Sequence, residues 1–391
     1  MIPTTQVSAE TLELVPPLVL GARRWSAGRS IDEGELGGLR AALLRTQHRR
    51  QLAAIPAYAR LADELSIDED GLDPDGEVFL LSDDWLKGYD PAWADTELPA
   101  LTDWLAEVST VRPRHPADVA DLGSWRAALR RQEVYVTVSS GTRGTRSLVP
   151  RDRMTLAALR SSSGVRLPWS LPPGQYGALL LTPRGMGSGI QSGAMGLGRA
   201  ARHAAHLDDP LALDLLRQSA TEDLPVVVYG SPARLVDLLA QVGRRLPLPT
   251  GSCVVTGGGW KGPSGGAVDE LLASASTTFA LDPGRCVDTY STAELNTVFV
   301  TCPEGRYHVP PVVEVLVLDD SLRPIRTAAG GRLAVLDPLA TSYPGRLITS
   351  DVVRLGPDRC RCGLAGQTLL AGIQRLAGAT ERGCGVTGMS L

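Results

Sequence analysis

The sequence is short of lysine. Lys87 and Lys261 are the only two among 39 Lys and Arg residues, so a lysine inside a motif stands out. Phenylalanine is scarce at three residues, which leaves few platforms on which bases could stack. Positive charge is not in excess: the formal net charge is −4. A protein that grips a phosphate backbone needs a clustered basic surface, so nucleic acid is not the expected partner. No stretch approaches the roughly 18–20 apolar residues of a membrane-spanning helix, so no membrane span is expected. The opening segment MIPTTQVSAETLELVPPLVLG lacks a basic n-region, and prolines break its apolar run, so it does not read as a secretory signal. A cytoplasmic protein is the expectation. In that reducing compartment the six cysteines point to metal ligands or reactive thiols before disulfides. An internal repeat, a low-complexity linker and the G-x-x-x-x-G-K-[ST] pattern of a Walker loop are also missing.

What is present reads as a large α/β protein. Residues 33–65 place leucine and alanine at helical spacing with arginine on the other face, and Pro56 should break that run. The first 130 residues read as mostly helical. Short apolar runs follow: EVYVTV (133–138), YGALLLT (176–182), LPVVVYG (224–230) and SCVVTGG (252–258). Each ends at Gly, Ser or Thr, and helical stretches lie between them, as in SPARLVDLLAQVGRRL (231–246). Strand, polar loop and helix in alternation predict a parallel sheet covered by helices, with ligands bound beyond the carboxyl ends of the strands. After about 285 the strands read as antiparallel.

Four motifs carry candidate chemistry. In VTVSSGTRGTRSLVPRD (136–152) a strand runs into Ser139, Ser140, Gly141, Thr142, Arg143, Gly144 and Thr145, with a helix predicted from about 152. Glycines let backbone N–H groups turn inward and hydroxyls add donors, the chemistry of a phosphate cradle. A plain connecting loop fits the same residues. TGGGWKG (256–262) lies just past another strand, and Gly257, Gly258 and Gly259 would let a flat ring lie against the backbone. DTYSTAELN (288–296) offers Tyr290, Thr292 and Glu294, and GRLITSDVVRL (345–355) ends a strand near Asp351. Taken singly, each is also a turn, a strand end or a solvated acid. Their order and spacing are the informative part.

That order resembles the core motifs of adenylate-forming enzymes. The stretches YHVPPVVEVLVLDDSLRPI and GGRLAVLDPLATSYPGRLITSDVVRLG, and the ending GATERGCG, are similar to the acyl-protein synthetase (LuxE-type) branch, related to phenylacetate–CoA ligase. The resemblance covers roughly 130–391. It implies the large-domain α/β fold of that superfamily: helix-covered parallel sheets plus a smaller strand-rich subdomain, with the C-terminal domain absent or strongly reduced. The implied division is a helical N-terminal region (1–130), a nucleotide- and acid-binding core (131–284), a strand-rich subdomain completing the site (285–380) and a Cys-bearing tail (381–391).

The resemblance also implies roles. Ser139, Ser140, Gly141, Thr142, Gly144 and Thr145 would cradle the phosphates of ATP. Gly257, Gly258 and Gly259 would line the adenine, with Tyr290 stacked near it. Thr292 would touch the α-phosphate, Glu294 would hold Mg²⁺, and Asp351 would bond the ribose hydroxyls. The implied reaction is attack by a carboxylate on the α-phosphate to give acyl-AMP and pyrophosphate. The acyl group would then pass to a cysteine thiol, Cys384 on the glycine-flanked tail, and on to a reductase partner. Alternatives remain: transfer to CoA, a carrier protein or an amine with Cys384 idle, or an inactive nucleotide-binding scaffold for a reductase. The acid itself is left open, a long-chain fatty acid or a small one.

The sequence departs from the wider superfamily in having no lysine beyond 261, where a C-terminal domain usually supplies a catalytic one. Lys261, inside the nucleotide motif, could supply that charge, or could be a surface lysine; Arg143 and Arg354 are weaker candidates. Cys302, His308, Cys360 and Cys362 form a Cys₃His set suited to structural zinc, although C-x-C is tighter than the common spacing. Buried or incidental cysteines are the other reading. Cys253 and Cys286 read as core thiols. PRGMGSGIQSGAMGLGRA (183–200) fails the dinucleotide spacing and reads as a pocket wall or a loose loop. His203 and His206 after it read as packed or solvated histidines.

Overall fold

The structure, a computed structural model, describes residues 9–376 apart from 75, 140–144, 163–166, 168–170, 185–188, 260–267, 326–329 and 358. Ser140, Gly141, Thr142, Arg143, Gly144, Lys261 and Cys384 lie outside the described residues. The chain begins with helices α1 (Ala9–Ser26), α2 (Glu33–Ala54) and α3 (Pro56–Glu64), then a short strand β1 (Leu81–Ser82) and a 3₁₀ turn, Asp83–Lys87. Helices α4 (Trp93–Thr96), α5 (Leu98–Val108) and α6 (Leu122–Arg130) complete this part. Asp32 caps α2 by accepting from Glu35 N–H at 3.0 Å. Pro56 ends α2 and opens α3 at its first position, where a missing N–H costs nothing.

Strands β2 (Tyr135–Val138) and β3 (Leu148–Arg151) form a two-stranded antiparallel hairpin of their own. This corrects two expectations. EVYVTV is not a strand of the parallel sheet, and the Ser/Gly/Thr loop leads into a return strand before the helix α7 (Arg153–Ser162) begins. The loop therefore joins two paired strands rather than a strand and a helix N-terminus.

The alternating pattern read from the sequence follows: β4 (Gly177–Leu181), α8 (Gly189–Ala200), β5 (His203–His206), α9 (Ala212–Thr221), β6 (Val226–Gly230), α10 (Pro232–Val242), β7 (Cys253–Gly257), α11 (Val268–Phe279) and β8 (Cys286–Tyr290). These five strands are parallel. Successive side chains point to opposite faces, and both faces are covered. Leu179, Val226, Val228 and Val254 meet Leu216, Leu235 and Phe279 of α9–α11, whereas Ala178, Leu180, Val227 and Val255 meet Ala194 of α8. Ser231, Pro232 and left-handed Gly243 start and stop α10.

β8 ends the parallel run, and β9 (Phe299–Thr301), β10 (Arg306–His308) and β14 (Thr368–Leu370) extend the sheet antiparallel. A second sheet holds β11 (Glu314–Leu318), β12 (Gly331–Leu336) and β13 (Arg346–Val353), antiparallel as read, with β15 (Gln374–Arg375) also on β13. The N-terminal strand β1 joins this sheet beside β13, parallel to it. Val15, Leu18 and Leu43 of α1 and α2 share one core with Val315, Leu333 and Val353. Among the described residues no helix is long and apolar enough to cross a membrane.

The end of β6 is tightly packed: a Cβ on Gly230 would overlap the backbone carbonyl of Leu181 on β4. Gly230→Ala is expected to lower unfolding free energy by about 1–3 kcal/mol, measured by chemical denaturation; an unchanged midpoint would contradict that contact.

Candidate active site

A cavity of about 1160 Å³ opens where the carboxyl ends of β7 and β8 face the β2–β3 hairpin and the second sheet. Its walls include Ser139, Thr145, Gly258, Gly259, Tyr290, Thr292, Glu294 and Asp351, so the described parts of all four motifs meet there. The hairpin holds its loop by the neck: Ser139 N–H donates to Ser147 O at 3.0 Å, and Ser147 N–H donates to Ser139 Oγ at 2.7 Å. The Ser147 hydroxyl is buried with no hydrogen-bond partner among the described residues.

Gly258 and Gly259 follow β7 with φ of +83° and +76°, a left-handed turn that favours glycine and brings bare backbone to the cavity. Gly257 has a different reason: it ends β7 against β8, and a Cβ there would overlap Thr289 Oγ1.

Tyr290 closes β8. Its hydroxyl donates to Asp351 Oδ2 at 2.7 Å, and Arg375 Nε meets Asp351 Oδ1 at 2.9 Å. Its ring packs beside Phe299 and Tyr307, at 5.7 and 6.4 Å between centroids. Burial, then the Asp351 carboxylate, pushes the Tyr290 phenol well above its usual range. Deeper in the same wall, Asp288 accepts from Thr256 Oγ1 and from Tyr307 Oη, both at 2.5 Å. Burial raises the Asp288 carboxyl above the usual carboxylate value, although both hydroxyls oppose that shift.

After β8 the chain turns through Thr292 and Glu294. The Thr292 hydroxyl is buried and finds no hydrogen-bond partner among the described residues. Glu294 is 8% exposed and lines the same wall. An unsatisfied hydroxyl beside a buried carboxylate suits a phosphate oxygen and a hard cation.

One residue was missed in the sequence. Lys87, at the end of the 3₁₀ turn after β1, reaches the cavity. Its ammonium lies 2.8 Å from Asp83 Oδ2 and 3.4 Å from Asp84 Oδ1. Asp83 is in turn 3.3 Å from the Ser350 hydroxyl, next to Asp351. The signal was present, since Lys87 is one of only two lysines; it was passed over because it sits outside every motif.

Of the remaining candidates, α8 lines the cavity through Ile190, Gly193 and Leu197, as a pocket wall would. His206 Nδ1 donates to Thr182 O, 2.9 Å away on the sheet edge. Cys253 and Cys286 are buried in the core, and burial pushes both thiols up to about 12.

A second constellation lies at the far edge of the large sheet. Cys302 after β9, His308 at the end of β10, and Cys360 and Cys362 before β14 hold their ligand atoms within 4.8 Å of one another. Cys302 Sγ is 3.6 Å from Cys360 Sγ, and Cys362 Sγ is 3.3 Å from His308 Nε2. A tetrahedral zinc with ordinary bond lengths sets S–S and S–N edges of about 3.8 and 3.5 Å, so the four residues fit that ion. Trp25 of α1 tilts over the His308 ring at 6.2 Å and donates to Ala365 O at 2.8 Å.

Residues 204–390 match the family model described as Acyl-protein synthetase, LuxE. Over 138 residues the chain is 31% identical to the long-chain-fatty-acid–luciferin-component ligase of Aliivibrio fischeri, covering 34% of this chain and 36% of that protein. For the ligase of the same name from Vibrio harveyi the figures are 36% over 103 residues, 25% and 27%. The chain therefore spans about a third or less of the curated relatives it matches. Among solved structures, 2-hydroxyisobutyryl-CoA ligase with 2-HIB-AMP and CoA aligns at a TM-score of 0.53 and 15% identity, over 88% of this chain and 69% of that one. An open conformation of the same ligase gives 0.51, 16%, 87% and 70%. This likeness is one of fold, the α/β architecture of adenylate-forming ligases. The resemblance read from the motifs is borne out over 204–390.

Tyr307→Phe removes one of two side-chain donors from buried Asp288. It should destabilise the protein by about 1–3 kcal/mol at pH 8. Because burial raises the Asp288 pKa, the loss should shrink as pH falls through it; denaturation followed from pH 8 down to the acid limit of folding measures both, and a loss constant throughout would contradict this reading.

Proposed function

We propose that this protein activates a carboxylic acid with ATP and then passes the acyl group to a thiol. The observation that supports this best is the meeting of four motifs, spread over more than two hundred residues of chain, in one cavity, with the Thr292 hydroxyl left unsatisfied two residues before Glu294. The acid's carboxylate oxygen attacks the α-phosphorus of ATP. The bond from that phosphorus to the bridging oxygen of the β-phosphate breaks, pyrophosphate leaves, and acyl-AMP remains. Catalysis of this kind is mostly positioning and neutralisation of phosphate charge.

Ser139, Ser140, Gly141, Thr142, Gly144 and Thr145 are assigned to the phosphates, and Gly258 and Gly259 to the adenine face, with Gly257 setting the end of β7 behind them. Tyr290 orients Asp351, which is assigned to the ribose hydroxyls together with Arg375. Thr292 is assigned to the α-phosphate. Glu294 would hold Mg²⁺, which when bound supplies charge neutralisation to the phosphates.

The cation near the reacting groups is assigned to Lys87 rather than Lys261. Lys87 lines the cavity on a turn fixed by Asp83 and Ser350. Its charge would offset that developing on the phosphate oxygens.

The second step follows from the tail. A thiolate at Cys384 would attack the acyl carbon, expel AMP and form a thioester that a reductase partner could collect. The family match extends to residue 390 and so includes Cys384. The name of the matched relatives favours a long-chain fatty acid as substrate. The apolar wall around Leu156, Leu159, Ile190 and Leu197 supports an acyl chain as the group beside the nucleotide. Structural zinc is assigned to Cys302, His308, Cys360 and Cys362.

Exchange, mass, metal and melting measurements test this. ATP–pyrophosphate exchange with a panel of acids should be positive for long-chain acids, and intact-mass spectrometry should show a hydroxylamine-labile acyl adduct lost in Cys384→Ser. Exchange without an adduct would move the acceptor to CoA, a carrier protein or an amine, and no exchange would leave a nucleotide-binding scaffold. Lys87→Ala should slow exchange about 10²-fold with the fold intact; an unchanged rate would remove Lys87 from the mechanism. Elemental analysis should find one zinc per chain, absent in Cys360→Ser, with a melting temperature lowered by several degrees.

A further inference from the structure

Arg151 is the largest charged side chain fully buried in the described protein, at 1% exposed. It stands at the end of β3, yet most of its bonds run to the segment that carries Thr292 and Glu294. Nη2 donates to Ala293 O at 2.7 Å and to Leu295 O at 3.1 Å, and Nε donates to Asn296 Oδ1 at 2.8 Å. Nη1 returns to Thr137 Oγ1 on β2 at 2.7 Å.

The carbonyl between those two, Glu294 O, accepts from Tyr343 Oη at 2.6 Å. Three consecutive carbonyls are thus fixed from outside by two side chains. Tyr343 is itself fully buried, and its hydroxyl also accepts from Asn296 Nδ2 at 2.8 Å. Its backbone is fixed as well: Gln51 of α2 donates to Tyr343 O at 2.8 Å, and Thr110 N–H donates to Ser342 O at 2.8 Å. Asp337 closes the set by accepting from Asn296 N–H at 2.7 Å.

This segment has no helix or strand to hold it between β8 and β9. Backbone carbonyls left to water would let the peptide planes rotate, and the Glu294 carboxylate would rotate with them. The fork of a guanidinium suits the task because it reaches two carbonyls and a side-chain oxygen from one rigid plane.

We infer that Arg151 and Tyr343 are positioning residues that set the Glu294 carboxylate and the Thr292 hydroxyl for a divalent cation and the nucleotide phosphate. The inference rests on the assignment of Glu294 to the metal made above. Both bond the backbone of the segment and would act through the carbonyls of Ala293, Glu294 and Leu295.

The test uses Mn²⁺ as the probe, with the non-hydrolysable analogue AMPCPP, read by electron paramagnetic resonance and calorimetry. Tyr343→Phe removes one hydroxyl and keeps the ring. It should weaken Mn²⁺ affinity in the presence of AMPCPP about five- to tenfold, with metal-free nucleotide affinity unchanged. Arg151→Lys keeps the charge and loses the fork; its effect should be larger, provided the variant folds. Thr102→Val removes a comparably buried hydroxyl from α5, one bonded to Leu98 O and Trp125 Nε1, and serves as the control for stability loss alone. Unchanged Mn²⁺ affinity in Tyr343→Phe, or an equal loss in Thr102→Val, would overturn the positioning role, as would wild-type protein that binds no Mn²⁺ with AMPCPP. If wild type binds the metal–nucleotide, the Tyr343→Phe shift appears, and no acid supports pyrophosphate exchange, then positioning holds and the acid-activation reading fails instead.

Discussion

The arrangement depends on one buried guanidinium. Arg151 joins the β2–β3 hairpin to the segment after β8, and through Tyr343 and Asn296 to the turn between β12 and β13. These three pieces carry the Ser/Gly/Thr loop, the Thr292–Glu294 pair and the approach to Asp351. A charge removed from water is costly unless its hydrogen-bonding positions are met. Every piece that satisfies Arg151 must therefore be in place together, which makes the motifs parts of one structure.

The cavity gathers carboxylates that burial would rather neutralise. Asp337 is pushed up to about 6, chiefly by burial, against donors from Asn296 and Leu339 and the charge of Arg151. Asp288 is raised in the same way. Asp351 and Asp83 are each held by a cation, Arg375 and Lys87. These are distinct solutions to one problem: a buried carboxylate needs either donors or a cation close at hand. Hydroxyl and amide donors hold the two deepest acids, and cations hold those nearer the opening.

Much of this was legible in the chain. The alternation of VVVYG, SPARLVDLL and CVVTG gives parallel strands and covering helices because a strand buried on both faces must be apolar throughout, and Ser-Pro and Gly mark the helix ends. The pairing of Cys302 and His308 with Cys360 and Cys362 was also readable, since few other roles put three thiols and an imidazole on strand-rich sequence. The hairpin was not. EVYVTV looks like the strands of the parallel sheet by composition, and only its partner, Leu148–Arg151, makes it antiparallel. Lys87 was marked only by its rarity, and its place at the cavity was not readable, because a lysine among acids on a short turn is usually solvated.

The sequence by itself determined the local periodicities, the turn and cap residues, the order of the nucleotide-type motifs and the donor types at each candidate site. Those depend on neighbours along the chain, or on side-chain chemistry alone. Only the tertiary structure decided that the N-terminal β1 would lie against β13, that Lys87 would face the cavity, and that Arg151 would span from Thr137 to Leu295. Such contacts join residues separated by scores to hundreds of positions. No short-range pattern encodes them, because their free energy comes from burying one surface against another and from satisfying the polar groups trapped between.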